Sequence, residues 1–158
     1  MSAVEMSRSE QLFQLAQGVA DGHTDFFVVN GPGVGDHNTN QFMTALRREA
    51  VATFGNDYSE KRICGENGLC VDFYFSEDAT IVEVALRLMS TPSEFEKDIL
   101  KAIMAQEEGH EVTSLVFISK PGAIRRCGQP GAMAIREWAN RKHGVSISIF
   151  ELNDRNAT

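Results

Sequence analysis

The sequence predicts an α/β domain with a single mixed β-sheet flanked by helices, and three observations carry that prediction. Between residues 61 and 88, three short segments rich in β-branched and aromatic side chains alternate with turn signals, the pattern of an antiparallel meander. Residues 94–108 then set apolar side chains at helical spacing, ahead of a mostly apolar stretch, 112–119, suited to a sheet interior. A further helical pattern over 132–143 leads into the alternating residues 145–150. A strand reached through a helical crossover runs parallel to its predecessor, so the sheet is mixed.

Taken in order, Ser7 or Ser9 caps a first helix to about Val19, with Leu12, Phe13, Leu15 and Ala16 on its apolar side. The run Phe26-Phe27-Val28-Val29 suggests a short strand over 25–30, broken by Gly31-Pro32-Gly33-Val34-Gly35. A second helix starts at Asn38 or Thr39, carries Phe42, Ala45, Leu46 and Phe54, and stops at Gly55. Strands over 61–64 and 69–75 flank Gly65-Glu66-Asn67-Gly68, whose Asn-Gly step favours a tight hairpin. Residues 76–78 form a second turn before a third strand over 80–88. Pro92-Ser93 opens the next helix, with Phe95, Ile99, Ala102 and Ile103 on one face. Lys120-Pro121-Gly122 ends the fourth strand, and Ile135, Trp138 and Ala139 face inward on the last helix. The expected organisation is one domain over 1–158, with a polar tail over 153–158.

At 158 residues, 42% hydrophobic and 23% charged, the chain is long enough for a sizeable core and far from a disordered composition. The polar start and the lack of an 18-residue apolar run point to no signal peptide, no membrane span and a cytoplasmic location. Three cysteines, Cys64, Cys70 and Cys127, suit a reducing compartment and no disulfide framework. A net charge of −7 means that any nucleic-acid contact needs a local basic patch or a bridging metal.

Two strand residues break the apolar pattern. Alternation puts Cys70, Asp72 and Tyr74 on one face of the second meander strand, and Glu83, Ala85 and Arg87 on one face of the third. A carboxylate in such a run is costly unless it is paired or holds a metal. Side by side, Asp72 and Glu83 can chelate a hard divalent cation such as Mg²⁺ or Mn²⁺.

An aspartate on one strand, a turn, and a glutamate on the next, between two helices and ahead of a further strand, resembles the PD-(D/E)XK nuclease core. The resemblance covers residues 38–119, with 120–152 as an extension carrying the last helix and strand and 1–37 as an N-terminal addition. It implies a restriction-endonuclease-like fold and Mg²⁺-dependent hydrolysis of DNA phosphodiesters. Asp72 and Glu83 match the family's metal-binding acids, and Glu49, on the preceding helix, matches an extra acidic position found in some members. Two positions depart from the pattern: Ala85 stands where the family has its lysine, and Val71 where it has proline. Some members relocate a catalytic side chain to the following helix, where this chain has Glu96, Lys97 and Lys101; Arg87 is a further substitute cation. The alternative is a non-catalytic binding or regulatory protein on the same fold, a homodimer.

Other signals are weaker. Gly31 to Gly35 superficially resembles a phosphate cradle, giving a third reading as a nucleotide or small-molecule site, but the Gly-Lys-Ser/Thr ending is missing. Lys120, Arg125 and Arg126 are the candidate DNA-phosphate contacts in this acidic chain. The flanking arginines also suggest some activation of Cys127. His23, His37, His110 and His143 have no metal-binding spacing.

Overall fold

The computed structural model describes residues 5–23, 26–27, 34–89 and 92–155, with side chains in the second helix described from residue 39. These fall into two compact units, one of residues 1–57 with 154–158 and one of residues 58–153.

In the first unit, α1 (Arg8–Asp21) begins where Ser7 Oγ accepts the Glu10 N–H at 3.2 Å, so the cap lies at Ser7. Leu12, Ala16 and Ala20, four residues apart, are buried along one stripe. Helix α2 (Val34–Phe54) buries Phe42, Leu46 and Ala50 at the same spacing and ends at Gly55, whose φ of 73° suits glycine. It starts four residues ahead of the expected cap at Asn38 or Thr39. Of the expected strand over 25–30, only Phe26 and Phe27 are described, and they form a turn in which Phe26 packs on Phe42 at 4.8 Å. Gly31, Pro32 and Gly33 of the glycine-rich stretch lie outside the described residues.

The second unit holds a single five-stranded mixed sheet, so the chain is α/β. Its strands are β1 (Ser59–Lys61), β2 (Val71–Phe75), β3 (Thr80–Val84), β4 (Ser114–Ser119) and β5 (Ser146–Glu151), in spatial order 1-2-3-4-5. The first three are antiparallel, and β3, β4 and β5 are parallel, joined by α3 (Pro92–Glu107) and by α4 (Ala123–Cys127) with α5 (Pro130–His143). Register sets Ile81 beside Leu115 and Leu115 beside Ile147, and these join Tyr74 and Phe117 in one cluster with Phe95, Ile99, Ala102 and Ile103 of α3. Phe73, Phe75, Val82, Val116 and Ile118 alternate with them and are buried as well. No helix among the described residues is long and apolar enough to cross a membrane.

Several boundaries differ from expectation for local reasons. The strand expected over 61–64 lies at 59–61, because Ile63 and Cys64 turn into the core instead of pairing. The link to β2 is a longer loop held by Asn67, whose amide donates to the Cys64 carbonyl at 2.8 Å and accepts from the Leu69 N–H at 2.9 Å. Strand β3 stops at Val84 rather than running to residue 88; residues 86–89 turn, so Arg87 is exposed off the strand and does not share a strand face with Glu83. The stretch expected as a loop over 120–126 contains the short helix α4. Trp138 is 39% exposed against His143 rather than buried.

Leu115, fully buried in the interior strand β4, and Leu100, 56% exposed on α3, give a paired test. Leu115→Ala is expected to cost about 2–5 kcal/mol, and Leu100→Ala less than about 0.5 kcal/mol. Urea unfolding followed by far-UV circular dichroism checks both, and equal costs would refute the assigned core.

Candidate functional site

Strands β2 and β3 pair at Phe73–Val82, Tyr74–Ile81 and Phe75–Thr80, and the ladder stops there. Carried one residue further, the same register sets Asp72 opposite Glu83, and the two side chains take over from the backbone. Glu83 Oε1 accepts the Asp72 N–H at 2.8 Å, and Asp72 Oδ2 accepts the Val84 N–H at 2.7 Å. This exchange gives the opening ends of the strands hydrogen-bond partners and fixes the orientation of both carboxylates.

Helix α3 adds a cation and a third acid. Glu94, Asp98, Lys101 and Ala105 recur at i, i+4, i+7 and i+11, one stripe along the edge of the face that carries Phe95, Ile99 and Ala102. Burial of that face brings Lys101 Nζ to 2.5 Å from Glu83 Oε2 and 3.3 Å from Asp98 Oδ1. All three residues are nearly sealed, with Glu83 2%, Lys101 7% and Asp98 8% exposed, whereas Asp72 is half-buried. The Cys64 thiol donates to the Lys101 carbonyl at 3.4 Å and ties the loop before β2 to the same turn of helix.

The electrostatics follow from the count of charges. Asp72, Glu83 and Asp98 surround one ammonium, so the fully ionised group carries −2. Burial, then a hydrogen bond with Asp98 and the charges of Asp72 and Asp98, push the Glu83 carboxyl up to about 10, and Lys101 offsets only part of this. Burial alone would lower Lys101, but Glu83 and Asp98 outweigh it and the ammonium is held above its ordinary value. Near neutral pH the cluster therefore holds one proton more than four independent groups would. A divalent cation would relieve the same excess of negative charge.

Two opposed carboxylates on different strands offer oxygen donors of the kind a hard divalent ion takes. Among the described residues no group of three or more His, Cys, Asp or Glu side chains has metal-binding geometry. The remaining positions would fall to water and substrate oxygens, as is usual for Mg²⁺.

The other sequence candidates distribute unevenly. Glu96 and Lys97 are exposed on α3, outside the buried stripe, whereas Glu94 lies close enough to Asp98, Arg87 and Lys101 to feel their charges. Glu49 is exposed on α2, in the first unit. Asp98 was not singled out by the strand-based pattern, although its place among Phe95, Ile99 and Ala102 marks an acid on a buried helix face. Lys120 is half-buried, and burial and then Arg87 push its pKa down. Gly122 packs against Met89, and Arg126 Nη1 donates to the Met89 carbonyl at 3.5 Å, so the turn after β3 and the loop after β4 meet. Arg87, Lys120 and Arg126 thus gather at the carboxyl ends of β3 and β4. Glu83 is the penultimate residue of β3 and Asp72 the second residue of the antiparallel β2, so the acids share that end of the sheet. Arg125 is exposed on α4. Arg136 is structural, donating to the Cys127 and Ile147 carbonyls. Cys127 is not activated: burial pushes its thiol up despite Arg136 and Arg126.

The raised Glu83 pKa has a signed consequence. Between the ordinary glutamate range and about 10 the folded chain binds a proton that the unfolded chain does not, so this contribution to stability is complete at low pH and is lost as pH rises. Glu83→Gln is expected to flatten that decline, by up to about 1 kcal/mol per pH unit. Denaturant midpoints from pH 5 to 9 measure it, and parallel slopes for both proteins would contradict a protonated Glu83.

No family model matches the chain, and no curated protein or solved structure shows significant similarity to it.

Proposed function

We propose that the chain is a divergent metal-dependent nuclease of the PD-(D/E)XK type, with a restriction-endonuclease-like core, hydrolysing DNA phosphodiester bonds. The observation that carries this reading is the Lys101 ammonium on Glu83, directly across from Asp72. It supplies from a helix the cation that the strand lacks at Ala85. The order of antiparallel meander, crossover helix and parallel strand supports it.

In this reading Asp72 and Glu83 hold Mg²⁺ or Mn²⁺, which when bound supplies an activated water and charge stabilisation at the phosphoryl group. Lys101, kept cationic by Glu83 and Asp98, presents Nζ beside the reacting phosphate and stabilises its developing charge. Lys120, Arg87 and Arg126 lie at the same end of the sheet and grip flanking phosphates, which reconciles DNA binding with a net charge of −7. Arg125 extends that surface along α4.

A second reading has its own observation. Both acids are engaged by backbone N–H groups across the strands, and Lys101 is paired with Glu83, an arrangement that also serves a non-catalytic, dimeric binding protein in which the acids only close the sheet end.

Metal titration separates the two. For the nuclease, millimolar Mn²⁺ or Mg²⁺ raises the melting temperature of the wild type and not of Asp72→Asn or Glu83→Gln. Single- and double-stranded DNA are then cleaved only with metal, and Lys101→Met lowers the rate about 10²–10³-fold. Metal-independent melting together with intact DNA would leave the binding reading standing.

A further inference from the structure

We propose that Asp98 is a positioning residue that receives the Lys101 ammonium when Glu83 takes a divalent cation, so that lysine and metal exchange places on one carboxylate oxygen. The inference rests on the metal-binding reading of Asp72 and Glu83. Glu83 Oε1 is held by the Asp72 N–H, which leaves Oε2 as the oxygen that Lys101 covers at 2.5 Å. A Mg²⁺ ligand oxygen sits at about 2.0–2.1 Å from its ion, and an ammonium in contact with that same oxygen would be driven against the ion's charge. Lys101 must therefore leave Oε2.

Its destination is set by burial. Lys101 is 7% exposed, and an ammonium deprived of its partner in such a place is strongly destabilised. Asp98 Oδ1 is already 3.3 Å from Nζ, and Asp98 is itself 8% exposed. Both residues stand on α3, one turn apart, so their separation is independent of how far β2 and β3 part. A small rotation of the lysine side chain shifts its weight from Glu83 to Asp98 and keeps the cation within the site. Asp72, Glu94 and the Cys64 thiol are the other titratable groups whose charges couple to this cluster.

The exchange makes a prediction that a simple field effect does not. An amide at position 98 binds Lys101 poorly, so the lysine stays on Glu83 and competes with the metal. Where Lys101 is absent there is nothing to relocate. Mn²⁺ affinity is measured by calorimetry for wild type, Asp98→Asn, Lys101→Met and the double variant, with Asp98→Glu as a conservative control. The expected result is at least about a tenfold weaker affinity in Asp98→Asn, within the range typical of groups that orient metal ligands. Addition of Asp98→Asn to Lys101→Met should change affinity less than about twofold, and Asp98→Glu should stay close to wild type. Equal weakening by Asp98→Asn in both backgrounds would show a plain charge effect and overturn the exchange. No weakening in either background would overturn it as well. Should Asp98→Asn fail to fold, by circular dichroism, the comparison of Lys101→Met with wild type decides: removal of the competitor must tighten Mn²⁺ binding, and weaker binding sinks the proposal. Wild type that takes up no Mn²⁺ removes the metal reading itself, and the exchange with it.

Discussion

The burial of one ammonium among three carboxyl groups constrains everything around it. Lys101 reaches Glu83 only because α3 lies flat against the sheet, and the helix does so because Phe95, Ile99, Ala102 and Ile103 share the cluster of Leu115, Phe117 and Ile147. Removing the ammonium would leave buried carboxyl groups without compensation, which typically costs more than the pair itself contributes. Such a group is therefore weak evidence of stability for its own sake.

The strand geometry bears on the same group. Instead of a further backbone pair beyond Phe73–Val82, the acids themselves reach across to the Asp72 and Val84 N–H groups. Glu83, already next to the end of β3, sits where the turn after β3 and the loop after β4 bring Arg87, Lys120 and Arg126 together. Open α/β sheets commonly offer ligand sites at the carboxyl ends of their strands, and here opposite charges meet at that end.

The alternation of residues 71–75 and the apolar run of 112–119 made the sheet legible, and the helix of residues 94–108 was readable within two residues from its spacing. Asp72 and Glu83 stood out because each is a lone acid in an apolar strand, and Lys101 because the strand cation was missing. What was not legible depended on contacts distant in sequence. The turn at 86–89 removed Arg87 from the strand, although nothing local marks Val84 as the last paired residue. Asn67 shaped a loop where the Asn-Gly step alone suggested a tight hairpin. Asp98 carries no signal along a strand; its signal lies in helical spacing, an acid among Phe95, Ile99 and Ala102. The share of the acidic charge held in the site could not be read from a net charge of −7, which sums over the whole chain.

The origin of the cation has a further consequence. A lysine two positions along the same strand would be placed by the pleat alone, a matter of covalent geometry that survives loosening of the fold. Here the distance between Nζ and the carboxylates is a tertiary quantity, maintained by the contact of Phe95 with Phe117 and its neighbours, whose rings lie 5.5 Å apart. The site is thereby complete only when the crossover helix is docked, and it is lost if that helix lifts. A partly folded chain would carry the acids without their counter-charge, inert but strongly anionic.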